Sequence, residues 1–365
     1  MLFNNKAARP ATSERAFRVS PDRPKSLIQH CPAYVPTPLA DMPSLALELG
    51  ARRVWVKDET ARMGLGSFKA LGGVFAVARI LCDLASTDDP CAPKAKTHAA
   101  GLTFITATAG NHGLSVATGA RIFGAQSVIV LDASVSEDFA DRIRAAGGTV
   151  ERVAGSYEDA VVRAQELAEG KGGILLADGS WEGYIGPPAL VMEGYTVLAD
   201  ECRARFAELG DWPTHVLLQA GVGGLAGAVA AHIRMYWSVQ PHITVVEPEA
   251  ADCLMRSARA ERLVHAEGPV SNMGRLDCKD ASLIAFDSLR FDANAFVTVS
   301  DGDAEAAVAL FARHGIRTTP SGAAGLAALV AMPLPADATC MVVASEGRAE
   351  DIGTLTSTQA EAVST

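Results

Sequence analysis

The chain has 365 residues, 49% of them hydrophobic and 20% charged, which is ordinary globular composition with length for roughly two domains. Its 32 basic and 42 acidic residues leave a net charge of −10, the wrong field for phosphate backbones or anionic membrane surfaces. Aromatics are only 6%, so platforms for stacking bases are scarce and nucleic acid is not an expected partner.

The first ten residues carry Asn4, Asn5, Lys6 and Arg9 where a signal peptide would need an apolar run. The polar first thirty residues are expected to wrap the surface. Residues 34–39 (YVPTPL) read as an extended lead-in, because each proline steers its predecessor away from helix. Residues 53–57 (RVWVK) alternate like a strand. From there short β-branched runs alternate with Ala-rich stretches. Strands are predicted at 103–106, 127–131, 150–153, 174–177, 214–219, 243–247 and 340–344. Helices are predicted at 113–123, 137–146, 157–169, 188–209 and 225–237. This rhythm implies two open parallel sheets with helices on both faces, an α/β fold. The longest apolar stretch, 323–332, contains Gly325 and runs into Pro333, too short to cross a bilayer. The seven cysteines are scattered with no CxxC pair, so neither a metal site nor a secreted disulfide framework is expected, and the chain reads as cytoplasmic.

Five segments carry chemistry. In GLGSFKALGG (64–73) a glycine-rich turn leads into a helix with Lys69 near its start. The electropositive helix end should push that lysine's pKa down, leaving the neutral amine that Schiff-base chemistry needs. For an isolated lysine there, a solvated surface residue is the better reading. TATAGNHG (106–113) follows a strand, and its small residues let backbone N–H groups converge on an anion; the bland reading is a capped turn. QAGVGGLAG (219–227) follows another strand and can cradle a phosphate. It also fits GxGxxA, with Glu247 ending the next strand, so a dinucleotide site is a competing reading. Asp178 in DGSWEGY and Ser345 in SEG each follow a strand, where a plain turn is the simpler account.

Taken together, in order and spacing from about Tyr34 to Ser345, these segments resemble the fold-type II pyridoxal-phosphate enzymes of the tryptophan synthase β / threonine dehydratase superfamily. Within it, GLGSFKALGG, NHG (111–113), DGSWEGY (178–184), EPEAADCL (247–254) and SEG (345–347) look like diaminopropionate ammonia-lyase. The resemblance implies pyridoxal 5′-phosphate held covalently by Lys69, with Asn111 on its ring hydroxyl. Gly221, Val222, Gly223, Gly224 and Leu225 would bind its phosphate, and Ser345 its ring nitrogen. The loop Ala107, Thr108, Ala109, Gly110, Asn111 and His112 would take the substrate carboxylate, and Asp178 would sit near the β-amino group. It implies a large cofactor-binding domain from residues 1–74 and 190–365, a small domain from 75–189, and a homodimer. Two departures stand out. Ala109 replaces an aspartate that the family is proposed to use on the D-isomer, and 272–279 (NMGRLDCK) is more charged than the apolar, glycine-rich family segment.

The expected function is β-elimination from a small amino acid, with diaminopropionate going to pyruvate and ammonia and the L-isomer preferred. A threonine- or serine-type dehydratase and a β-replacement synthase are the alternatives on the same fold. A nicotinamide-dependent dehydrogenase is the rival with different chemistry, and a cofactor- or amino-acid-sensing domain the non-enzymatic one.

Overall fold

The structure is a computed structural model that describes residues 1–7, 14–28, 31, 33–108 and 110–351. In chain order its strands are β1 (Leu2–Asn4), β2 (Leu39–Asp41), β3 (Arg53–Asp58), β4 (Thr103–Ala107), β5 (Gln126–Leu131) and β6 (Thr149–Arg152). β7 (Ile174–Leu175), β8 (His215–Gln219), β9 (His242–Pro248), β10 (Ala295–Val299) and β11 (Thr339–Ala344) follow. They form a seven-stranded sheet in the order β1-β10-β9-β8-β11-β3-β2 and a four-stranded sheet in the order β6-β5-β4-β7. Every neighbouring pair is parallel except the two edges, β1 on β10 and β2 on β3.

The two-residue period of a strand explains why both sheets are covered on both faces. Along β11, Met341 and Val343 join one core while Cys340, Val342 and Ala344 join another. β3 does the same, with Trp55 on one side and Val54 and Val56 on the other. In the small sheet Phe104, Ile129 and Leu131 enter the main core, and Ile105, Ala107 and Val130 pack under the helix Tyr157–Lys171. That helix starts at a capping box, in which Ser156 Oγ accepts from the Asp159 amide at 3.3 Å and Asp159 returns the bond at 2.7 Å.

Several expectations change. The N-terminal thirty residues do more than wrap the surface: β1 extends the large sheet, and Phe17 and Val19 are buried. β10, the run AFVTV, was not among the predicted strands although its β-branched residues and flanking helices fit one. β7 is two residues long where four were predicted, because the chain leaves the sheet at Leu176 to form the turn that carries Asp178.

A buried ion cluster anchors the loop between β3 and the helix Lys69–Ala85. Arg62, fully buried, donates to both carboxylate oxygens of Glu59 at 2.7 Å and to Glu201 at 2.7 and 2.8 Å. Lys57 donates to Glu201 at 2.6 Å and to the Thr37 carbonyl at 2.7 Å. Two cations meet two carboxylates, so the burial is balanced, but removing one member strands the others. Arg62→Met should therefore destabilise the chain by about 3–5 kcal/mol in urea unfolding, whereas a loss below about 1 kcal/mol would show that the cluster is dispensable.

Candidate active site

The five chemistry-bearing segments converge because all of them leave the carboxyl ends of parallel strands, where open α/β sheets place ligands. The β3 loop delivers Lys69, β4 delivers 108–112, β7 delivers Asp178, β8 delivers 220–225, and β11 delivers Ser345 and Glu346. They line a cavity of about 460 Å³ between the two sheets. Two further ties close it: the Phe68 amide donates to the Ser345 carbonyl at 3.2 Å, and the Gly347 amide to that of Gly66 at 2.9 Å.

Lys69 Nζ makes a direct ion pair with Asp178. Burial by itself would lower the lysine's pKa, but the Asp178 charge outweighs it and raises the ammonium above its ordinary value. The expected depression by the helix end is thus overturned, since a full carboxylate in contact exceeds a half-charge dipole. Burial likewise favours the neutral form of Asp178, yet the Lys69 charge in contact with it holds its carboxyl at about 2. Tyr195, from the helix Gly186–Leu209, packs beside them with Nζ 5.9 Å from its ring centre.

At the small sheet, Thr108 Oγ1 accepts from the Gly110 amide at 2.9 Å, shaping the turn before the helix Asn111–Phe123. Asn111 is buried and donates its side-chain amide to Glu346. His112 Nε2 donates to the Leu176 carbonyl at 2.8 Å, and burial lowers its pKa, so the ring is neutral. Ala107 ends β4, and Ala109 lies outside the described residues.

At the large sheet, Gly221, Val222, Gly223, Gly224 and Leu225 line the cavity and open the helix Gly224–Tyr236. Gly223 has φ +100°, and a Cβ there would stand 3.0 Å from Leu254 and 3.1 Å from Ala285. The first amides of this helix have no carbonyl one turn back, and its first residues, Gly224 and Leu225, line the cavity. Tyr195, whose ring edge is 3.6 Å from a Cβ position on Gly224, has a buried hydroxyl without a hydrogen-bond partner. An amine, a glycine cradle at a helix start, an orphaned hydroxyl and Ser345 on the cavity wall are a set that fits pyridoxal phosphate.

The dinucleotide reading fails at Glu247. Its carboxylate is fully buried and accepts from the Leu254 and Met255 amides at 2.7 and 2.8 Å, capping the helix Cys253–Ala260, so it cannot reach a ribose. Burial pushes its pKa up to about 8. Sequence reasoning missed Glu346 and Arg275, which both line the cavity. Glu346 was noticed only as part of SEG, while Arg275 lay in the segment singled out for its charge. Glu346 accepts from Asn111 on one oxygen and from Thr319 Oγ1 at 2.6 Å on the other. Among the described residues no cluster of metal-ligating side chains is present.

Comparison with known proteins agrees with this geometry. The family model described as pyridoxal-phosphate dependent enzyme matches residues 31–346. Diaminopropionate ammonia-lyase of Escherichia coli strain K12 is 34% identical over 342 residues, covering 87% of this chain and 86% of that protein. The Salmonella typhimurium LT2 enzyme of the same name is 36% identical over 283 residues, 74% of this chain and 70% of that one. The crystal structure of the Escherichia coli enzyme with an aminoacrylate-PLP azomethine reaction intermediate superposes with TM-score 0.86 at 30% identity, covering all of this chain and 96% of that one. A processed threonine deaminase from Solanum lycopersicum, at TM-score 0.77 and 19% identity over all of this chain and 96% of that one, shares the fold.

The Lys69–Asp178 pair predicts an acid response. Asp178 titrates near 3.8 when unpaired and near 2 in the fold, so the unfolded chain binds more protons in that interval. Its stabilisation is complete above about pH 4 and lost as pH falls towards 2. In urea unfolding of the cofactor-free chain, the advantage of the natural sequence over Asp178→Asn should shrink across that window. A gap that stays constant would contradict the pairing.

Proposed function

The chain belongs to the pyridoxal-phosphate-dependent enzymes and, within them, to the diaminopropionate ammonia-lyase family, and from that premise we propose that it eliminates ammonia from the β-carbon of L-2,3-diaminopropionate, giving pyruvate and ammonia. The observation that carries this reading is the Lys69–Asp178 pair facing the glycine cradle across one cavity.

Lys69 would hold the cofactor through its amine, Gly221, Val222, Gly223, Gly224 and Leu225 its phosphate, Asn111 its ring hydroxyl, and Ser345 its ring nitrogen. Bound there, pyridoxal phosphate supplies the electron sink that makes the substrate's Cα proton acidic. Ala107, Thr108, Ala109, Gly110, Asn111 and His112 receive the substrate carboxylate at the start of a helix. Once its amine is free, Lys69 Nζ takes the Cα proton. Asp178, which stays ionised, orients the β-ammonium that departs as ammonia. Neutral His112, fixed on the Leu176 carbonyl, shapes the loop without adding charge.

The same reading assigns residues 1–74 and 190–365 to a large cofactor-binding domain and 75–189 to a small one, supported by the two separate sheets. It extends to a homodimer in the cytoplasm. Seven free thiols suit a reducing compartment. Among the described residues no helix is long and apolar enough to cross a membrane.

Stereochemistry follows from Ala109. With the cofactor bound, Lys69 would serve one of its faces, and a D-substrate would turn its hydrogen to the other. Where the family is proposed to use an aspartate on the D-isomer, this chain has Ala109, whose methyl can accept no proton, and a positioned base is worth about 10²–10⁴-fold. Pyruvate release from L-diaminopropionate should exceed that from the D-isomer by about that margin, and Ala109→Asp should raise D-isomer turnover. Equal turnover of both isomers would assign the second face to another base, foremost Asp178. A chain that binds the amino acid and releases no pyruvate in a single turnover would be a sensor, not a lyase.

A further inference from the structure

Glu346 stands one residue past Ser345 in the cavity wall, and its backbone is pinned on both sides. The Phe68 amide donates to the Ser345 carbonyl at 3.2 Å, and the Gly347 amide to the Gly66 carbonyl at 2.9 Å. Thr318 Oγ1 donates to the carbonyl of Glu346 itself. A Cβ on Gly322 would stand 2.9 Å from that carbonyl oxygen and 3.4 Å from Glu346 Cγ, so the bare glycine makes room for the stem. The side chain is buried and held in place.

Each carboxylate oxygen of Glu346 has its own donor. Thr319 Oγ1 accepts from the Gly322 amide at 3.1 Å and gives its one proton to Oε1 at 2.6 Å. Oε2 accepts from the side-chain nitrogen of Asn111, which is also buried. A carboxylate offers only acceptors, whereas a carboxamide has a donor end and an acceptor end of nearly the same shape. Facing Glu346, Asn111 is therefore held one way round, with its NH2 group towards the carboxylate. Both residues line the cavity together with Lys69 and Ser345. Arg275 Nε lies 4.0 Å from Oε2 and offsets the carboxylate's charge, so what Glu346 passes on is chiefly the direction of a hydrogen bond.

We propose that Glu346 is a positioning residue that fixes the Asn111 carboxamide so that its second N–H is presented to the cofactor's ring oxygen. This rests on the reading that Asn111 contacts that oxygen. A donor there favours the oxygen as a phenolate. A carboxamide turned over would present its carbonyl, which only a protonated phenol can satisfy. Glu346 acts through Asn111 and touches no reacting atom.

The test is titration of the cofactor-free chain with pyridoxal phosphate. Two quantities are read: the dissociation constant, and the ratio of the long-wavelength absorbance band of the phenolate form to the short-wavelength band of the phenol form. In the natural sequence the long-wavelength band should predominate. Glu346→Gln keeps the size but offers a donor as well as an acceptor, so it no longer dictates how Asn111 faces. It should move intensity to the short-wavelength band and weaken binding by about 5–10-fold, the difference between a charge-assisted and a neutral hydrogen bond. Glu346→Met, which has no oxygen to offer, should do the same and guards against a glutamine that settles into the native arrangement. In an Asn111→Ala background both substitutions should lose their effect to within about 2-fold, because the residue they act through is gone. Effects that persist undiminished there would make Glu346 only a tie within the loop and overturn the proposal, as would an unchanged band ratio in both Glu346 variants. If Asn111→Ala alone changes neither the bands nor the affinity, the assignment of Asn111 to the ring oxygen fails and takes the proposal with it. No substrate is present, so failure to turn over diaminopropionate would sink the proposed reaction and leave this measurement standing.

Discussion

The contact between Lys69 and Asp178 ties the site together, because its partners follow strands of different sheets. Lys69 begins the helix after a strand of the seven-stranded sheet, and Asp178 sits in the turn after β7, an edge strand of the four-stranded one. Each alone would be a charge stripped of water, and together each holds the other ionised. The pair also sets the resting state of the chemistry. Without its cofactor the lysine is an ammonium, not the free amine that a covalent link requires, so the proton must leave as the cofactor arrives.

Around that pair the architecture works by delivery. Parallel strands end on one side of each sheet, and five of them release loops into the same cavity. The buried Arg62–Glu59–Glu201–Lys57 cluster fixes the loop before Lys69, while Ser345 and Gly347 hold its end through backbone hydrogen bonds. Glycine at 110 and 223 serves different needs at two helix starts. One admits a guanidinium onto the backbone, and the other adopts φ +100° where the chain turns from β8 into its helix.

Much of this is legible in the sequence because the site segments are local. A strand followed by glycine, asparagine or lysine and then an Ala-rich helix states both where the turn is and what it exposes. The Lys69, Asn111 and Gly223 segments all have that form, and the cavity gathers them. What is not legible depends on distance. The helix-end argument for Lys69 is sound locally and is overruled by a carboxylate 109 residues away. Glu247 looks like a ribose acceptor until its own downstream amides claim it. Glu346 is one residue past a motif and acquires its place only when helix Asn111–Phe123 comes to meet it. Arg275 sits in an irregular segment, where no periodicity says which way a side chain points. β1 and β2, three residues each, take their register from neighbours far along the chain or from a sheet edge, not from their own pattern.

The central claim is that Lys69 is the lysine that carries the cofactor. Borohydride reduction of the loaded enzyme followed by peptide mapping tests it most directly. The account predicts a single pyridoxyl-modified peptide containing Lys69. Modification at Lys279, the other lysine lining the cavity and one held by Asp277 and the Ala250 and Pro269 carbonyls, would contradict it.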